Sequence, residues 1–218
     1  MMRRQLIAEA LGSLLLTATV VGSGIMAEQL AQGNGAVALL ANTLATVAAL
    51  STLIALFAPI SGAHFNPAVS LSLAFLGKRA WKDMLVYTLT QIVCCCAGCL
   101  LAHAMFELPL LQTATHVRSG TGQWLSELVA TTGLVLIVLG HRRTESAHWM
   151  VASWIGAAYW FTASTSFANP AITIARALTN TFSGIRMQDT PGFILAQCTG
   201  VLIALFIYKK QFSASSSH

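Results

Sequence analysis

Ser61-Gly-Ala-His-Phe-Asn-Pro-Ala-Val69 and Ser164-Thr-Ser-Phe-Ala-Asn-Pro-Ala-Ile172 are two versions of one motif, and their repetition decides the fold. In each, a stretch of small and polar residues leads into Asn66-Pro67-Ala68 or Asn169-Pro170-Ala171, and a short apolar segment follows, Pro67 to about Phe75 and Pro170 to about Leu178. Asn is a favoured helix N-cap, and Pro at the first helical position lacks the N–H that would be orphaned there anyway. Ala lets two such ends come close. Each short segment reads as half a helix, too brief to cross a bilayer alone. The flanks repeat as well: Glu9 and Glu127 sit near the start of an apolar stretch, and Gln91 and Gln197 sit in the stretch that follows each motif.

The 218 residues are 56% hydrophobic and 9% charged, with a mean hydropathy of +0.69, against about 25% charged residues in soluble proteins. Six stretches are long enough for a span of about 20 apolar residues, centred on Leu16, Val47, Val93, Val135, Ile155 and Leu202. They use up most of the chain, so one membrane domain over 1–218 is expected, built as two halves of about 1–108 and 120–210. Met1 to Ala27 reads as a span and not as a secretory signal, because Glu9 interrupts it and the apolar run continues to Met26, beyond the roughly 7 to 15 residues of a signal core. Three spans per half make the halves run in opposite directions, so the two motifs enter from opposite faces and meet at mid-membrane. Irregular backbone at that depth is tolerated only where it is buried in protein or lines a watery cavity, which implies a passage.

Lys and Arg concentrate in cytoplasmic loops. Arg3, Arg4, Lys78, Arg79, Lys82, Arg142, Arg143, Lys209 and Lys210 fall on one side of a six-span arrangement, which places both termini in the cytoplasm. The net charge of +5 therefore reports topology and gives no reason to expect nucleic acid.

These residues identify a resemblance to the major intrinsic proteins, the aquaporins and aquaglyceroporins, over essentially the whole chain. The resemblance implies the aquaporin fold: an all-α membrane protein of six transmembrane helices and two re-entrant half-helices in an inverted repeat. It also implies a passive channel for small uncharged solutes, a homotetramer with one pore per subunit, and neither cofactor nor metal. Asn66 and Asn169 would donate hydrogen bonds to passing solute. Glu9 and Glu127 would accept from the re-entrant backbone as scaffold, with Gln91, Gln197 and His64 beside them. The half-helix N-termini, each with roughly half a positive charge, would repel cations and discourage proton conduction. The location expected is a prokaryotic inner membrane.

In this family four positions at a constriction above the re-entrant loops set selectivity. Counting from the motifs gives Thr46, Ala157, Ser166 and Ile172, and a one-residue shift at the second would substitute Gly156 or Ala158. Most members carry Arg where this chain has Ile172, and water-selective members add His and Phe. Their absence predicts a wide filter that passes glycerol-like polyols, undissociated weak acids and metalloid hydroxides as well as water. Arg176, one helical turn beyond Ile172, either restores part of the missing charge or serves to steady its loop or neutralise a carboxylate; the second reading is preferred. The stretch Asn169 to Ile185 is similar to members associated with arsenic-resistance gene clusters, which brings arsenite or methylated arsenicals into view.

Cys94, Cys95, Cys96 and Cys99 invite a thiol or metal reading, but Cys94, Gly98 and Ala102 form a row of small residues suited to close helix approach, and packing is the preferred role. His141 and His148 are expected at the solvated or lipid-facing cytoplasmic loop, and the Ser-rich tail Ser213 to His218 is expected to be disordered. Two other functions fit parts of the pattern. An ion-coupled secondary transporter would use the same inverted repeat, and a membrane thiol enzyme would use the cysteines.

Overall fold

In the computed structural model, which describes residues 2–141 and 146–211, those residues are helical and form no strand. The helices are α1 (Met2–Leu30), α2 (Gly35–Ser61), α3 (Pro67–Phe75), α4 (Trp81–Met105), α5 (Thr121–Gly140), α6 (Ala147–Phe161), α7 (Pro170–Ala175) and α8 (Thr190–Gln211). Arg142, Arg143 and the tail Ser213–His218 lie outside the described residues.

Five helical runs are long and apolar enough to cross a membrane: α1, α2, α4, α5, and α8 together with the short 3₁₀ turn Met187–Asp189 that leads into it. The sixth long helix, α6, has 15 described residues and begins just after the undescribed 142–145. At a rise of 1.5 Å per residue, α3 with 9 residues and α7 with 6 extend only about 14 and 9 Å, against a hydrocarbon core of about 30 Å. The architecture is thus six long helices with two half-helices between them, in an inverted repeat.

Local chemistry sets the ends of these elements. Asn34 caps α2, its side chain accepting from the N–H groups of Ala36 and Val37, and the helix stops at Gly62, whose φ of 90° turns the chain out. Asn66 and Asn169 hold extended backbone at φ of −155° and −153°. Asn66 Oδ1 accepts from Ala68 N at 2.8 Å, and Asn169 Oδ1 accepts from Ala171 N at 3.0 Å and Ile172 N at 3.3 Å. Proline follows each cap at the first helical position.

Within the first half α1 packs against α2 and α4, within the second α5 packs against α6 and α8, and α2 against α6 joins the two. Small residues permit the crossings. A Cβ on Gly98 of α4 would lie 2.2 Å from Leu14 O of α1, and one on Gly200 of α8 would lie 2.7 Å from Leu128 O of α5. Gly98 makes this approach and Cys94, one turn earlier, is only partly buried. Cys95 and Cys99 are fully buried, the first with its thiol 3.8 Å from Ser13 O and the second 3.9 Å from His103 Nε2. Among the described residues no cluster of His, Cys, Asp and Glu could hold a metal ion. Large apolar side chains such as Leu44, Leu89, Val93 and Leu195 are exposed on the outside, as a lipid-facing surface requires.

Candidate functional site

The segments 61–69 and 164–172 fold as two hairpins held by one carboxylate each. Several of their residues have left-handed backbone that side chains rarely adopt: Ala63, Phe65, Thr165, Ser166 and Ala168, at φ between 47° and 59°. Such positions cost on the order of 1 kcal/mol or more apiece, and the carboxylates offset that. Glu9 Oε1 accepts from Ser61 Oγ at 2.7 Å and His64 N at 2.9 Å, and its Oε2 from Phe65 N and Gln91 Nε2, both at 2.8 Å. Glu127 Oε1 accepts from Ser164 Oγ at 2.6 Å and Phe167 N at 2.8 Å, and its Oε2 from Ala168 N at 2.8 Å and Gln197 Nε2 at 2.6 Å. Gln91 also donates to Ser70, and Gln197 to Thr173. Both carboxylates are fully buried. An acidic group at a helix centre costs about 2.5 to 3.5 kcal/mol on insertion, so four donors apiece are what let these two remain inside.

The hairpins meet tip to tip. Asn66 Nδ2 donates to Ala168 O and Asn169 Nδ2 donates to Phe65 O, both at 2.8 Å. Each asparagine amide thus caps its own half-helix and reaches the backbone of the opposite hairpin. One amide hydrogen on each is left over, and both residues line a cavity of about 390 Å³.

Along one side of this cavity α6 contributes Val151, Ile155 and Tyr159, spaced four residues apart. Thr46, Ser166 and Ile172 also line it, and Tyr159 Oη donates to Thr46 Oγ1 at 3.4 Å. Ala157 does not belong to this group: it lies on the exposed face of α6. Of its neighbours, Gly156 faces Val47 of α2, where a Cβ would meet a methyl at 2.6 Å, and Ala158 is fully buried without lining the cavity. The α6 residue that lines the cavity beside Thr46 is Tyr159. The two helices differ in how far they run towards their motifs. Counting 12 residues back from Asn66 reaches Ile54, which does line the cavity. α2, however, runs to Ser61, whereas α6 stops at Phe161 and continues as non-helical chain. Extended residues do not advance by the helical 100°, so equal counts from the two motifs reach the cavity side of α2 and the exposed side of α6.

His64 Nδ1 is 2.9 Å from Ser70 Oγ, its ring lies 5.1 Å from that of Tyr87, and it too lines the cavity. His141 lines the cavity as well, with Nε2 3.0 Å from Ser146 Oγ, a departure from the solvated or lipid-facing position expected of it. His148 is partly buried beside Trp149.

Arg176 is 3% exposed and lines the cavity. Its guanidinium carbon stands 3.4 Å from the centroid of the Phe167 ring, and Nε donates to Ser183 O. It steadies its loop in this way, but it pairs with no carboxylate among the described residues, where the sole ion pair is Arg186–Asp189 at 2.8 Å. Two further residues had no signal in the sequence beyond their identity. Arg118, 7% exposed, reaches in from the connection between α4 and α5 and donates to Gly184 O, Ser164 O and Phe182 O. Burial draws its pKa down to about 10, with Glu127 and Tyr159 opposing. His103, fully buried in α4, ties that helix to Leu110 O through Nδ1 at 2.7 Å and to Thr179 Oγ1 through Nε2 at 2.8 Å. A carbonyl only accepts, so Nδ1 carries the proton.

Residues 1–163 match the family model described as Major intrinsic protein. The chain is 52% identical over 208 residues to Aquaglyceroporin AqpS of Rhizobium meliloti (strain 1021), covering 94% of this chain and 89% of that one. It is 30% identical to Aquaporin A of Dictyostelium discoideum over 93% of this chain and 76% of the relative. The solved X-ray structure of the aquaglyceroporin from Plasmodium falciparum superposes with a TM-score of 0.76 at 22% identity, covering 98% of each chain, which speaks to the fold.

Proposed function

The chain belongs to the major intrinsic protein family, and on that footing we propose that it is a broad passive pore for small uncharged solutes: glycerol-like polyols, metalloid hydroxides and water. Members of the family are channels and not enzymes, which removes the thiol-enzyme reading and leaves the ion-coupled transporter without support. The observation that carries the proposal is the reciprocal junction of Asn66 with Ala168 and Asn169 with Phe65 inside the cavity. A solute in this cavity meets the spare amide hydrogen of each asparagine and apolar wall from Leu16, Val20, Leu50 and Ile54. Few donors beside an apolar wall suit a neutral molecule that sheds most of its water without full replacement; an ion would lose far more.

The narrowing is assigned to Thr46, Tyr159, Ser166 and Ile172. Ile172 supplies neither charge nor donor at the position next to the second motif, so solutes larger than water are not held back there. Glu9, Glu127, Gln91, Gln197 and His64 are assigned to scaffold. The whole of 1–218 acts as one membrane domain of two inverted halves, about 1–108 and 120–210, as a homotetramer in a prokaryotic inner membrane with both termini in the cytoplasm. The similarity to Aquaglyceroporin AqpS supports the glycerol reading; the arsenical reading, arsenite or methylated arsenicals, rests on the stretch 169–185. Stopped-flow swelling of proteoliposomes with water, glycerol, urea and arsenite ranks the solutes. Ile172→Arg is expected to lower flux of glycerol and arsenite several-fold while water passes, and equal flux in both versions would place the narrowing elsewhere.

A further inference from the structure

Two buried cations share one aromatic ring in the wall of the cavity. Arg176 and Arg118 stand with guanidinium carbons 3.4 and 5.2 Å from the centroid of Phe167, which holds the two charges less than ~9 Å apart. Neither has a counter-ion among the described residues. Arg118 directs its nitrogens to three backbone carbonyls. Glu127, the acid whose charge both feel, already has both oxygens taken by four donors.

The two arginines differ in what they leave free. Arg176 uses only Nε, on Ser183 O, so the Nη1 and Nη2 groups of a side chain 97% buried have no protein partner among the described residues, and the side chain lines the cavity. Ser166 lines the same cavity, 2% exposed, with a hydroxyl that has no partner either. A buried guanidinium is normally paired or fully hydrogen-bonded. Its two terminal N–H groups form a planar fork that fits two oxygens of one group.

We propose that this part of the cavity is a binding site for a small planar oxyanion of single charge, a carboxylate or its inorganic equivalent, held by the free fork of Arg176 and the hydroxyl of Ser166. Arg118 is a positioning residue: it contributes the second positive charge and holds Phe167, against which Arg176 stacks. The anion supplies the charge that the fold leaves out. The site rests on the channel reading only for access from outside.

Nitrate is a suitable probe, because it is planar, singly charged and never protonated near neutral pH. Glycerol flux into proteoliposomes of the full chain is measured against sodium nitrate, with sodium chloride at equal concentration controlling for ionic strength. Nitrate is expected to slow glycerol in the wild type, with a midpoint that rises as glycerol is raised. With flux normalised to each variant's own nitrate-free value, Arg176→Gln is expected to raise the midpoint at least about tenfold. Arg176→Lys, which keeps the charge and loses the fork, falls between. Nitrate calorimetry on the detergent-solubilised protein gives the same ranking without relying on flux. Nitrate binding without glycerol flux would sink the channel reading and leave the site standing. Flux with no nitrate effect beyond that of chloride, or an equal effect in Arg176→Gln, would overturn the site.

Discussion

The two hairpins are built on one hydrogen-bond plan and dressed with different side chains. Four donors reach Glu9 and four equivalent donors reach Glu127, and each glutamine also binds a hydroxyl in the following half-helix, Ser70 or Thr173. Around that common frame the halves part. His64 against Tyr87 in the first hairpin is replaced by Phe167 against Phe193 in the second, with ring centroids at 5.1 and 5.0 Å. The first half places one cation, Arg79, over Tyr87 at 4.2 Å, and the second places two over Phe167. Phe65 lies over Gly12, where a Cβ would come within 1.9 Å of its ring; the equivalent residues of the second half, Ala168 and Ala130, are both fully buried alanines. The backbone frame must be kept wherever left-handed residues are held at mid-membrane. The side chains around it are free to differ, and they give the two hairpins different chemistry.

The largest effect expected comes from attacking what the halves share. Glu9→Ala and Glu127→Ala each strand four donors, at about 1 to 3 kcal/mol for each that stays buried and unpaired. Both are expected to abolish folded protein, read as loss of the monodisperse peak in size-exclusion chromatography and of glycerol flux. Survival of one variant but not the other would break the equivalence of the two frames. A smaller effect separates the halves. Gly12→Ala forces the Phe65 ring to move and is expected to cost about 1 to 3 kcal/mol by overpacking, seen as a lowered melting temperature. Phe65→Ala in the same chain, which rewrites the first half in the small-residue pattern of the second, is expected to recover part of that loss; a further drop would show that the contact is not what limits the site.

The smallest effect concerns the register difference between α2 and α6. Tyr159→Ala is expected to raise glycerol flux a few-fold with little change in stability. Ala157→Val, on the exposed face, is expected to leave flux as it was, and the reverse pattern would restore the simple count from the second motif.

The legible part of the site is the part fixed by local chemistry. Asn-Pro-Ala dictates a capped helix start, and a Glu or Gln in an apolar run demands an internal partner, so Asn66, Asn169, Glu9, Glu127, Gln91 and Gln197 could be named from the chain alone. Ala157, named by a count across a helix end, stands on the exposed face of α6, because such a count cannot tell helical residues from extended ones. Gly98 was legible as part of a row of small residues suited to close helix approach, but that the partner at the crossing is Leu14 O shows only in the fold.

The sequence by itself determined six spans, two half-helices and their opposed entry, because hydropathy, helix caps and the parity of three spans per half are properties of neighbouring residues. Only the tertiary structure decided that Tyr159 faces the cavity and that Arg118 and Arg176 share one ring. Those facts depend on where the α6 helix stops and on segments dozens of residues apart meeting in space, and nothing local in the chain encodes either.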